Sequence, residues 1–95
     1  MYLARVKGTV VATQKETSMT GSRFLVLEKL DERLKPLGDY VVAVDAVGSG
    51  EGEVVMYASG SSARQTRETK DRPADAVVMA IIDSVTVGGK TVFTK

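Results

Sequence analysis

The sequence predicts an all-β domain with one short helix, arranged as a small antiparallel β-barrel. Three observations carry this. Short runs rich in Val, Leu and Tyr recur along the 95 residues, separated by Gly, Pro and Asp. Residues 2–12 alternate between two faces, the period of a strand. The one segment that opens as a helix should, Ser62-Ala63-Arg64-Gln65, is followed by almost no apolar stripe. The length suggests a single domain over residues 1–95.

Each element has its own local reason. In the first strand Leu3, Arg5, Lys7 and Thr9 fall on one face, and Ala4, Val6 and Val10 on the other. Gly8 between them marks a bulge or a sharp bend. Residues 13–22 are polar and read as a loop. Phe24-Leu25-Val26-Leu27 is a second strand. Residues 31–39 are charged, contain Pro36 and Gly38, and read as a hairpin or wide turn. Residues 40–44 form a third strand, and 53–58 a fourth after the glycine-rich loop 45–52. The helix opened by Ser62 is one or two turns long and ends at Asp71-Arg72-Pro73. Ala76 to Val87 reads as one long fifth strand. Gly88-Gly89 is a two-residue hairpin turn, since glycine accepts positive φ at both places. Lys90 to Thr94 returns.

Composition narrows the function. Net charge is +1, too small for the basic face of a nucleic-acid binder. The aromatics Tyr2, Phe24, Tyr40, Tyr57 and Phe93 are spread one to a strand, a core usage. No run approaches the ~20 apolar residues of a membrane helix, and Arg5 and Lys7 interrupt any signal-peptide pattern at the N-terminus. Histidine and cysteine are both absent. This removes disulfides, His-based triads and every His- or Cys-containing metal site. No metal or cofactor is expected.

Four motifs invite chemistry, and each has a simpler reading. Gly48-Ser49-Gly50-Glu51-Gly52 has Glu53 where a dinucleotide fingerprint needs glycine, and a strand follows where a helix is required. Gly89-Lys90-Thr91 resembles the end of a phosphate-binding loop, but Ser84 stands at its first glycine and a strand follows. Ser61 and Ser62 have no histidine to activate them, and helix capping accounts for both. Asp45, Asp75 and Asp83 lie in or beside apolar runs, where a lone charge is costly. Arg5, Arg64 and Arg72 are the partners expected for them.

Three stretches together resemble one family. They are Asp45 to Val55 (DAVGSGEGEVV), Gly60 to Gln65 (GSSARQ) and Pro73 to Asp83 (PADAVVMAIID), read with the opening RVKGTVVATQK. In this order and at this length the chain resembles the EutN/CcmL family, the pentameric vertex proteins of bacterial microcompartment shells, from Leu3 to Lys95. The resemblance implies an oligosaccharide/oligonucleotide-binding (OB)-like barrel with extra strands. It also implies a non-enzymatic role: a homopentamer in a cytoplasmic shell, at its five-fold vertices, beside hexameric and trimeric shell proteins. Hexagonal tiles stay flat, and five-fold tiles introduce the curvature that closes the shell. A small OB-like module binding a ligand or oligonucleotide is the alternative.

A cyclic pentamer joins one patch of each subunit to a different patch of the next. Gly60, Ser61, Ser62 and Ala63 are small enough for close backbone approach, and Arg64 can make a directional ionic contact with Asp45, Asp75 or Asp83. These residues are expected at the interface near the five-fold axis. Gly48, Ser49 and Gly50 are the rival for lining the pore.

Overall fold

The computed structural model describes residues 1–12, 17, 21–60, 63, 65–66 and 75–95. Seven strands follow in order: β1 (Tyr2–Val10), β2 (Phe24–Leu30), β3 (Pro36–Asp45), β4 (Val54–Ser59), β5 (Ala76–Ile81), β6 (Ser84–Val87) and β7 (Lys90–Thr94). The first five close into a barrel in the order β1-β2-β3-β5-β4. The last two form a separate two-stranded sheet. No α-helix occurs among the described residues, and most of the expected helix, including Ser62 and residues 67–72, lies outside them.

The barrel is not wholly antiparallel. Four of its contacts are, but β3 and β5 pair in parallel through Val44–Val77 and Asp45–Val78. A parallel neighbour requires a crossover, and β4 with the segment after it supplies one.

Inside the barrel, Ala4, Val6, Leu25, Leu27, Ala43, Val55, Tyr57, Ala76 and Val78 form one core, with Val41 and Ile81 against it. A second, smaller cluster lies on the outer surface: Val44, Ala58, Ala63 and Val77, with Phe24, Ala46 and Met79. Ala63 is fully buried there. β5 and the last residues of β3 thus bury side chains on both faces, which explains the continuous apolar run that opens β5, while Val42 in the middle of β3 stays exposed.

Bulges set which residues face which way. Val6 pairs with Leu27 and Gly8 with Val26, so Lys7 is the extra residue of β1. One extra residue exchanges the two faces of a strand. The bend expected at Gly8 is present, but Val10 moves to the outer side, paired with Phe24, rather than continuing the face of Ala4 and Val6.

Two expected boundaries differ. Residues 36–39 belong to β3, and the turn is confined to residues 31–35, where Asp31 accepts the backbone N–H groups of Arg33 and Lys35 at 2.8 and 2.9 Å. Pro36 stands first in its strand, where a missing N–H is tolerated. The long strand 76–87 is broken after Ile81. The N–H of Ile82 turns to the carbonyl of Val54 at 2.9 Å, and β6 leaves the barrel. The turn between β6 and β7 is as expected, with Gly88 and Gly89 at φ 59° and 79°.

Leu27 lies wholly in the inner core. Leu27→Ala is expected to lower stability by about 3 kcal/mol in urea unfolding at fixed protein concentration. Val47→Ala, at an exposed position, is expected to change it by less than about 0.5 kcal/mol.

Candidate functional site

The glycine-rich loop leaves β3 at Asp45, and Asp45 organises it. Its Oδ1 accepts hydrogen bonds from the backbone N–H groups of Val47, Gly48 and Ser49, at 3.2, 3.1 and 3.3 Å. The hydroxyl of Ser49 donates to the same oxygen at 3.2 Å. Short polar side chains that gather the amides just ahead of them are a common turn device. Here the carboxylate is almost completely buried, so every lone pair has to be used.

The charge is met by Arg23. Its Nη1 donates to Asp45 Oδ2 at 2.7 Å and to the carbonyl of Ser49 at 2.7 Å. The partners expected for Asp45 were Arg5, Arg64 and Arg72. Arg5 instead donates to the carbonyl of Gly52 at 2.8 Å, and Arg64 and Arg72 lie outside the described residues. Arg23 has no spacing in the sequence that links it to position 45. Pairing of Phe24 with Val44 brings the two together.

The far half of the loop is closed by Glu53. Its Oε1 accepts the N–H of Gly50 at 2.6 Å, and its Oε2 pairs with Lys95 Nζ at 2.9 Å. The Gly50 amide, then Lys95, hold the Glu53 carboxyl below the usual glutamate range. Gly52 N–H donates to the Val6 carbonyl at 2.8 Å, tying the loop to β1.

These contacts decide what the loop can do. A phosphate-binding loop offers free amides to an anion. Here the amides of residues 47–50 point at the chain's own carboxylates. β4 follows the loop, and Lys90 and Thr91 are already part of β7, so neither nucleotide motif meets the helix it needs.

A cleft of about 530 Å³ opens at one end of the barrel, with Tyr2, Lys29, Leu37, Asp39, Tyr57 and Ala76 among its walls. Lys29 and Asp39 face each other at 3.1 Å, and the rings of Tyr2 and Tyr57 lie 5.3 Å apart, tilted by 32°. Burial pushes the Tyr57 phenol up. Lys29 and Asp39 are spent on one another, while Asp75 lines the same cleft without an ion pair among the described residues.

Of the residues expected at an interface or pore, Gly48 is exposed, and Ser49 is buried with its hydroxyl on Asp45. Gly50 is half-buried. Gly60 is exposed at φ 66°, and its N–H donates to the Asp75 carbonyl at 2.9 Å. Ala63 packs beneath the outer cluster. Ser61, Ser62 and Arg64 lie outside the described residues. The side chains of Asp75 and Asp83 are exposed.

Asp45→Ala would orphan several donors at once and is expected to cost about 3 kcal/mol in urea unfolding. Arg23→Ala leaves the buried Asp45 charge without its cation but at a half-exposed position, and should cost about 2 kcal/mol. Because Glu53 is held below its ordinary value, its contribution is complete above the glutamate range and disappears as pH falls through the lowered folded value. The Tm difference between the wild type and Glu53→Gln should therefore be present at pH 7 and shrink as pH falls below the ordinary glutamate range.

The chain is similar along its whole length to proteins of known role. The family model described as "Ethanolamine utilisation protein EutN/carboxysome" matches residues 1–83. The carboxysome shell vertex protein CcmL of Gloeobacter violaceus is 48% identical, over all of this chain and 95% of its own. The microcompartment shell vertex protein EutN of Salmonella typhimurium is 41% identical, over all of this chain and 96% of its own. The solved structure of Gloeobacter violaceus CcmL superposes with a TM-score of 0.96, covering 100% of this chain and 98% of that one. GrpN from Rhodospirillum rubrum, described as a pentameric microcompartment shell protein, superposes with a TM-score of 0.85 at 46% identity, covering 92% and 99%. By the family match and by relatives at these identities over the full chain, this protein belongs to the EutN/CcmL family.

Proposed function

We propose that this chain is a structural protein that assembles as a closed homopentamer and caps the five-fold vertices of a bacterial microcompartment shell in the cytoplasm. The observation that carries this reading is its end-to-end similarity to shell vertex proteins, one of them a solved pentamer at 46% identity. The chemistry of the chain agrees. Its glycine-rich loop is filled by its own carboxylates, and the ion pair in its cleft is internal. Residues 1–95 act as one domain, without turnover, at junctions with hexameric and trimeric shell proteins.

Residues 60–64 are proposed to lie at or near the subunit interface, close to the five-fold axis. Gly48 to Gly50 are the rival lining of the central pore, with the loop's backbone rather than the Ser49 hydroxyl facing it. Asp45 already has Arg23, so Asp75 and Asp83 are the carboxylates to test as partners of Arg64.

Native mass spectrometry should give a species of about 50 kDa, five copies of the 10.1 kDa chain in a closed ring. A monomer, dimer or hexamer in dilute solution overturns the reading. Arg64→Ala should weaken the pentamer, while Lys35→Glu on the far turn should not. Deleting the gene from its host, together with any copies of similar genes, should leave shells open or elongated with enzyme activities in lysate intact. Closed polyhedral shells in such a strain would count against it.

A further inference from the structure

The inner core stops short of one end of the barrel, where Tyr57 and Ala76 are its last members. Tyr2 pairs with Tyr57, Ser59 with Ala76, and Lys29 with the core residue Ala4. Cross-strand partners share a face, so Tyr2, Ser59 and Lys29 turn inward at this mouth. Asp39, two residues before Val41 on the same strand, does so too. The space they enclose is the cleft of about 530 Å³. The mouth of a barrel is a common place for a small ligand, and this volume lies in the usual range.

The polar groups of the mouth divide into two sets. Lys29 and Asp39 neutralise each other. Tyr57, Ser59 and Asp75 form the second set, and none of their side chains is hydrogen-bonded or paired among the described residues. Tyr57 is the most informative of them, because the residue is only 3% exposed. No fully buried polar side-chain atom lacks a hydrogen-bond partner among the described residues. The Tyr57 hydroxyl has no such partner, so it is the part of the residue that opens into the cleft. The charges of Lys29 and Asp39 act on this phenol, as they do at a shared mouth. A core tyrosine whose hydroxyl has no partner in its own chain is poised to meet one from outside.

The chemistry of the walls selects a cation. One positive side chain, Lys29, faces two negative ones, Asp39 and Asp75, so the mouth is negative on balance. An anion finds no free positive charge there, since Lys29 is already engaged. An ammonium group has three N–H donors, and Asp75, Ser59 and Tyr57 each offer it an oxygen. Tyr2, 54% exposed, adds a ring face that attracts a cation. Leu37 and Ala76 supply apolar wall for a short hydrocarbon body. A bare metal ion finds too few ligands, because no group of three acidic side chains suited to one occurs among the described residues.

We infer that the barrel mouth binds a small organic cation, an alkylammonium whose nitrogen is held by Asp75, Ser59 and Tyr57 and whose short hydrocarbon body lies against Tyr2 and Leu37. The site is built within one subunit and goes beyond the pentameric reading above. Asp75 is then kept for the ligand, and Asp83 remains the carboxylate open to Arg64. The other end of the barrel has no such set, because the glycine-rich loop there turns its amides onto its own carboxylates.

An NMR titration of the isotope-labelled protein tests it, with n-butylammonium, its anionic counterpart butyrate and the neutral 1-butanol as probes. Butylammonium should shift the amide signals of residues 57–59 and 75–76 and approach saturation at about 1 mM, a modest affinity suited to so few atoms. Butyrate and butanol should leave these signals in place at the same concentrations. Asp75→Asn should weaken butylammonium binding roughly tenfold, the loss of a charge-assisted hydrogen bond. Tyr57→Phe should weaken it too. Glu51→Gln, in the loop at the other end of the barrel, should bind as the wild type does. Circular dichroism reports whether each variant is folded, and the three probes on the wild type decide if one is not. Acetyl-glycyl-lysyl-glycinamide carries the same ammonium on a peptide. If it binds more tightly than butylammonium, the mouth takes a partner's lysine and the small-ligand inference fails. Equal binding of the three probes, no binding of butylammonium, or unchanged binding by folded Asp75→Asn also overturns it. All these outcomes leave the pentamer standing, and a wild type that is not pentameric leaves the site standing.

Discussion

Closure of the barrel depends on two residue pairs, Val44–Val77 and Asp45–Val78. Without this parallel seam β3 and β5 would be open edges, with backbone groups unpaired and an apolar sheet exposed. The seam is short, so its surroundings are reinforced. Val44 and Val77 are clamped on the outside by the Ala58–Ala63 cluster, and Val78 lies in the inner core. Asp45, the last residue of β3, carries the Arg23 pair and the whole first half of the glycine-rich loop. The place where the sheet closes is therefore also the place where charge and loop geometry are fixed.

Two thin cores on either side of one sheet suit a chain of this size. A single core in so short a chain buries little surface. The outer cluster extends apolar burial without lengthening the barrel. The remaining outer surface of β1, β2 and β3 is left uncovered in the subunit.

The local features of the fold were readable along the chain. Alternation located β1 and its bend, two adjacent glycines located the turn at 88–89, and failed motif spacing ruled out a nucleotide loop. Features that depend on distant pairing were not. Pro36, Gly38 and Asp39 look like turn residues, and only pairing with Leu30 draws their segment into β3. Ala76 to Val87 looks continuous, since nothing local marks Ile82 as the residue that turns to Val54. Arg23 sits unremarkably before a strand, and its tie to Asp45 appears only when β2 and β3 are side by side. Of the residues expected at the interface, the family resemblance drew attention to 60–64, while no pattern in the sequence alone separates a residue buried in its own subunit, such as Ala63, from one reserved for a neighbour.

The glycine-rich loop has a consequence that composition alone would reverse. Glycine-rich segments usually suggest slack, since glycine loses the most freedom on ordering. Here Asp45, Arg23 and Glu53, with Arg5 and the Val6 carbonyl on Gly52, hold the loop from within the subunit. The entropy of ordering is spent when the chain folds, not when it meets a partner. The loop therefore reaches any assembly already in its final shape, and its contour is an intrinsic property of the monomer.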